Sequence, residues 1–131
     1  MGQLKIGQSA SISKTISERD VFQFADIVKD CNPVHIDEEF AKKSIFGQRI
    51  VHGMFSASLI SAVLGTKVPG PGAVYLSQTL QFFAPVFIDD TITAKVKVIK
   101  IRDDKPIITL ETSCVNQKED LVLVGEAVLK V

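Results

Sequence analysis

The sequence predicts an α+β fold: a coiled antiparallel sheet of about five strands wrapped around one long central helix. Three observations lead there. The stretch from His52 to Leu64, HGMFSASLISAVL, has helical length and no charged face, with Ala57, Ser58, Ser61 and Ala62 set among larger residues. A helix without a polar side must be surrounded by protein. From Ala73 onward the apolar period drops to two, the spacing of half-buried strands. Ahead of the apolar helix stand only one strand-like segment and two modest helical ones.

Each element follows from its own residues. Ser9 to Ile16 alternates loosely, with Ala10, Ile12 and Ile16 on one parity. Ser17 and Asp20 form the reciprocal pattern of a capping box, and Val21, Phe24, Ala25 and Val28 follow at helical spacing. Pro33 pushes Asn32 out of the helical region and stops that pattern. Asp37 then caps a second, short helix through Ala41. The apolar helix is expected to end at Gly65, and Val68-Pro-Gly-Pro-Gly72 forbids regular structure. In the strand that follows, Val74, Leu76, Leu80 and Phe82 share one parity, and Tyr75, Ser77, Thr79 and Gln81 the other. Ile92, Ala94, Val96 and Val98 alternate with Thr93, Lys95 and Lys97 until the phase slips at Val98-Ile99, which predicts a bulge. Turns at Arg102–Lys105 and Asn116–Asp120 link this strand to Ile107–Val115 and Leu121–Val131, completing a four-stranded antiparallel meander. The outer parity is only semi-polar, with Tyr75, Phe83, Val122, Val124 and Val128 on it. A second copy joining edge to edge is expected to cover it.

Composition narrows the function. The 131 residues suit one domain, 1–131. Fifteen basic residues balance 15 acidic ones, so the footprint of a nucleic-acid partner is missing. Lys67 is the only formal charge between residues 50 and 88, yet no membrane span is expected. Ile50–Thr66 is interrupted by His52, Ser56, Ser58 and Ser61, and the next stretch contains Pro69–Gly72. Met1 to Ser11 lacks the charge-then-apolar run of a secretory signal. Cys31 and Cys114 are too few for a disulfide framework or a zinc cluster, and two reduced thiols in a cytoplasmic protein are expected.

Chemistry centres on the two histidines. His35 lies five residues after Asp30, across the bend that Pro33 imposes, so a carboxylate and an imidazole converge beside the apolar core. Such a pair can share acid–base work on a water or a carbon acid. Spacing alone leaves the blander alternative open, with Asp30 capping a turn and His35 a satisfied core histidine. His52-Gly53 marks the start of the apolar helix, where free amides can hold a developing oxyanion. Gly53 reads equally well as a site of close helix–sheet packing, and Ser61 as a ligand contact or a packing residue. Two histidines without clustered carboxylates make a poor metal site, and none is expected.

At this point the chain becomes familiar. Phe24–Ala41, FADIVKDCNPVHIDEEFA, with Ile50-Val-His-Gly-Met54, closely resembles the (R)-specific enoyl-CoA hydratase group of the MaoC-like dehydratases. The likeness rests on Asp30, Asn32, Pro33, His35 and Ala41, and extends to Tyr75–Leu80, Pro85–Phe87 and Gly125-Glu-Ala127. Lys29 departs from it, since many members carry a small residue there. The resemblance implies the hot-dog fold and a homodimer or dimer of dimers with catalytic loops near the interface. It also implies reversible addition of water to trans-2-enoyl-CoA, giving (R)-3-hydroxyacyl-CoA. The substrate is an acyl-CoA thioester, and no separate cofactor is needed because coenzyme A is part of it. Asp30 and His35 are then expected to activate water, with the Gly53 amide stabilising the thioester oxyanion. Asn32, His52, Ser61 and Leu64 are expected to bind substrate or support the site. Leu129 joins Ser61 and Leu64 as a limit on acyl length, and Lys42, Lys43, Arg49 and Lys67 are candidates for the CoA phosphates. The rival readings are an acyl-CoA thioesterase, a 3-hydroxyacyl carrier-protein dehydratase and a non-catalytic acyl-CoA-binding module.

Overall fold

Ser17 opens the first helix as its side chain predicts. Its Oγ accepts from the Asp20 amide at 3.1 Å, and the Asp20 carboxylate accepts from the Ser17 amide at 2.9 Å. That bond holds Asp20 below the usual carboxylate range. The computed structural model describes residues 3–131; Met1 and Gly2, which begin the segment read as lacking a signal, lie outside the described residues.

The elements run β1 (Ser9–Thr15), α1 (Glu18–Val28), α2 (Pro33–Ile36), α3 (Glu38–Lys42), α4 (Gly53–Thr66), β2 (Val74–Gln78), β3 (Gln81–Phe82), β4 (Thr91–Ile101), β5 (Ile107–Val115) and β6 (Leu121–Lys130). All strands join one antiparallel sheet in the order β1-β4-β5-β6-β2, with the two-residue β3 also on β6. The inner face of the sheet presents Ile92, Ala94, Val96, Val98, Ile108, Leu110, Leu123 and Leu129 to Ile60, Val63 and Leu64 of α4. This is the hot-dog arrangement that the resemblance implies. The bulge expected at Val98-Ile99 is present, since Val98 pairs with Leu110 and Lys100 with Thr109.

The structure corrects five expectations. A helix not anticipated, α2, occupies Pro33–Ile36, with Asn32 as its cap and Pro33 at its first position. Proline is favoured there because its missing N–H has no partner to lose. Gly65 does not end α4, which continues to Thr66. The chain turns away only after the Lys67 and Val68 amides close on the Val63 carbonyl and Gly70, at φ +98°, donates to the Leu64 carbonyl. The strand from Ala73 is broken into β2 and β3, and it lies beside β6 rather than β4. Only β4, β5 and β6 therefore form a meander. Val122 is buried, not outward, because the register shifts where Cys114 pairs with Leu123 and Val115 with Leu121. Val122 is the extra residue of that bulge.

The fifth correction concerns α4 itself. The sheet covers the side bearing Phe55, Leu59, Ile60, Val63 and Leu64, while Met54, Ser58, Ser61, Ala62 and Gly65 are exposed. The chain thus encloses its apolar helix on one side only. The facing strand is equally bare: Val74, Tyr75 and Leu76 of β2 are all exposed, as are Phe82 and Phe83.

Candidate active site

The site begins where α1 ends. Lys29 takes the left-handed conformation (φ 63°) and turns the chain into the loop that carries Asp30. The Asp30 carboxylate accepts from the Asn32 amide at 3.2 Å, and Asn32 Oδ1 accepts from the Val34 amide at 3.2 Å. These two short turns, with Pro33 between them, set up α2 and deliver His35 from its third position. The His35 amide donates to the Asn32 carbonyl at 3.0 Å.

His35 is 8% exposed, and its Nδ1 lies 2.7 Å from the Ile50 carbonyl. A carbonyl only accepts, so Nδ1 carries the proton, and the neutral ring keeps its lone pair on Nε2. Burial is the main reason that His35 titrates below the ordinary histidine value; the nearby His52 pushes the same way, against the Ile50 bond and Asp30. His52, 2% exposed, donates through Nε2 to the Asp30 backbone carbonyl at 2.9 Å. The two imidazoles stack with centroids 3.8 Å apart and planes 27° from parallel. Phe24 packs on His52 at 5.0 Å and on Phe55 at 5.1 Å.

One carboxylate oxygen of Asp30 and one ring nitrogen from each histidine lie within 4.8 Å of one another. The carboxylate and imidazole expected to meet therefore do meet, and His52, expected to bind substrate or support the site, stands beside them as a third member. The blander alternatives are also partly realised, since Asp30 does cap a turn and one nitrogen of His35 is satisfied. That spacing would suit a cation. Near-parallel imidazoles, however, aim their in-plane lone pairs side by side rather than at one point, a poor geometry for a shared ion.

Gly53 follows His52 directly and starts α4, whose first amides have no carbonyl one turn back within the helix. The His52 side chain does not cap them. A Cβ on Gly53 would sit 2.9 Å from the Phe82 ring, so close packing also demands a glycine here. Clefts flank this helix start. One of about 340 Å³ is lined by Phe46, Ile50, Gly53, Ser56, Phe82 and Pro85, among others. A second of about 360 Å³ runs along the bare side of α4, past Met54, Ala57, Ser58, Ser61, Tyr75 and Leu76.

Comparisons with known proteins place the chain as a whole. Residues 3–119 match the family described as MaoC like domain. The chain belongs to the MaoC-like dehydratase family. It is 49% identical over 128 residues to an (R)-specific enoyl-CoA hydratase of Rhodospirillum rubrum, covering 98% of this chain and 88% of that one. An (R)-specific enoyl-CoA hydratase of Aeromonas caviae is 46% identical over 127 residues, covering 97% and 95%. The solved (R)-hydratase from A. caviae involved in PHA biosynthesis superposes with a TM-score of 0.96 at 45% identity, covering 100% of this chain and 99% of that one.

Within this MaoC-like chain the remaining candidates separate. Ser61 is exposed and lines the second cleft, whereas Leu64 and Leu129 are buried in the core. Arg49 is paired with Glu18 at 3.2 Å and Lys42 with Glu39 at 3.4 Å, while Lys67 donates to the Ser11 carbonyl. Sequence reasoning missed how His52 is used. Its position just before Gly53, as the second of only two histidines, was the available signal.

Proposed function

We infer that the protein catalyses the reversible hydration of trans-2-enoyl-CoA to (R)-3-hydroxyacyl-CoA, with Asp30 and His35 as the pair that activates water. The observation that carries the assignment is the convergence of the Asp30 carboxylate and the His35 ring at the head of α4. Both offer acceptors there: the Asp30 carboxyl oxygens, and a bare Nε2 on His35, whose single ring N–H is at Nδ1 on the Ile50 carbonyl. One water can donate a hydrogen to each. Asp30 takes the first proton as the water oxygen bonds to the β-carbon. The π pair shifts onto the thioester oxygen, where the Gly53 amide and the positive end of α4 stabilise it. The enolate then collapses and the proton held by the pair passes to the α-carbon through His35, which leaves water added and the enzyme unchanged. Asn32 holds the turn that aims both groups, and Ser61 faces the acyl chain.

A homodimer completes the site in this reading. The outer edge of β2 and the bare side of α4 support it, for a second copy would shield both. The two free cysteines support a reducing, cytoplasmic setting.

The test is chiral analysis of the product from crotonyl-CoA, beside a thiol assay on a saturated acyl-CoA. (R)-3-hydroxybutyryl-CoA with no thiol released is expected. Thiol release would make it a thioesterase, binding without turnover a ligand-binding module, and turnover only on a carrier-protein thioester a dehydratase of that pathway class.

A further inference from the structure

We propose that His52 is a positioning residue that sets the distance between the water-activating pair and the oxyanion donor. The inference rests on the hydratase reading above and gives a task to a side chain that the proposed steps leave unused. Its geometry is unusual in joining both halves of the site. Through Nε2 it holds the backbone carbonyl of Asp30, 22 residues earlier in the chain, at 2.9 Å. Through its own backbone it forms the cap of α4 and leads directly into Gly53. One face of its ring lies on His35 at 3.8 Å, and Phe24 packs against it at 5.0 Å. Without this clamp Asp30 itself would keep only its own short turn, the bond from the Asn32 amide to the carboxylate. Its link to the head of α4 would run the longer way, through α2 and the bonds of Val34 and His35 to Ile50. Base and oxyanion donor would then be coupled only through that longer path, with more slack between them.

His52 differs from a core histidine that merely fills space. It is 2% exposed, and its Nδ1 has no hydrogen-bond partner, so the ring is kept although one polar atom is left unsatisfied. An apolar ring would avoid that cost. What the histidine supplies and an apolar ring cannot is the Nε2–H directed at Asp30. A group displaced by about 1 Å can cost on the order of 10² in rate, so the clamp should act on kcat and leave substrate affinity largely alone.

The test compares His52→Gln, which retains an N–H donor at similar reach, with His52→Met, equal in length but without a donor, and His52→Phe, which keeps a ring. Asp30→Asn is measured alongside. For Met and Phe, kcat for crotonyl-CoA hydration should fall about 10- to 100-fold with KM within about twofold, and Gln should recover most of the loss. Equal kcat in Gln and Met, or a Met variant within about twofold of the parent, would overturn the assignment. So would a loss that simply tracks Tm across the three variants. Should Asp30→Asn itself retain full activity, the water-activating pair is wrong, which is a separate failure from that of His52.

Discussion

Asp30–Gly53 and Val74–Phe83 both border the start of α4, yet they are finished to different degrees. In the first segment, Asn32 caps α2, Asp37 caps α3, Ile50 fixes a tautomer of His35 and His52 reaches back to Asp30. In the second, β2 is hydrogen-bonded along β6, but its side chains on both faces are largely uncovered. The chemistry is thus organised within one chain, while the walls around the acyl group are left open by it. A mutation in the first segment should alter rate without altering assembly, and one in the second should do the reverse.

The largest expected effect lies in the loop. Asp30→Asn and His35→Ala should each lower kcat by about 10² to 10⁴ while Tm and molecular mass in solution stay close to the parent's. Steady-state hydration assays with sedimentation would show it, and a drop in mass would blur the division. Next comes Gly125, where β6 passes under Thr79. A Cβ there would fall 1.8 Å from the Thr79 carbonyl oxygen, a backbone atom that cannot step aside alone. Gly125→Ala should destabilise by about 1–3 kcal/mol or more, read from urea unfolding, and it should loosen β2 and β3 before the loop.

Leu76→Lys places a charge on the bare strand and should weaken self-association at least about tenfold, about 1.4 kcal/mol. Analytical ultracentrifugation would detect the change, and unaltered mass would remove β2 from the proposed homodimer interface. Ser17→Ala breaks the capping box far from both segments and should cost about 1 kcal/mol in Tm-derived stability with kcat unchanged. The smallest effect is one of pH. His35 must be neutral to accept from water, and burial lowers its titration below the ordinary histidine value. Its neutral form and its share of stability are therefore present above the unfolded value and are lost as pH falls through the lowered one. The acidic limb of kcat against pH should lie below the ordinary histidine range and disappear in His35→Ala.

Local signals carried most of what could be read in advance. Ser17 with Asp20, Asp37 and the phase slip at Val98-Ile99 each act over a few residues, and each appears in the structure as its chemistry required. The meeting of Asp30 with His35 was legible for the same reason, since Pro33 forces the bend between them. What escaped was set by distant partners. No pattern within Val74–Gln78 announces that it will pair with β6, and the register shift that buries Val122 depends on β5. Gly65 looked like a stop, but a glycine ends a helix only where the chain needs positive φ, and here that need falls on Gly70. The bond from His52 to Asp30 spans two helices and has no short-range trace.

Lys29 gives the arrangement a last consequence. A side-chain-bearing residue at φ 63° is held there against a preference of about 1 kcal/mol. Replacing it by glycine would relieve that tension and also grant the exit from α1 many more directions. A firmer helix end and a slower enzyme could then arise from one exchange, because the discomfort of a single lysine keeps the road to the carboxylate narrow.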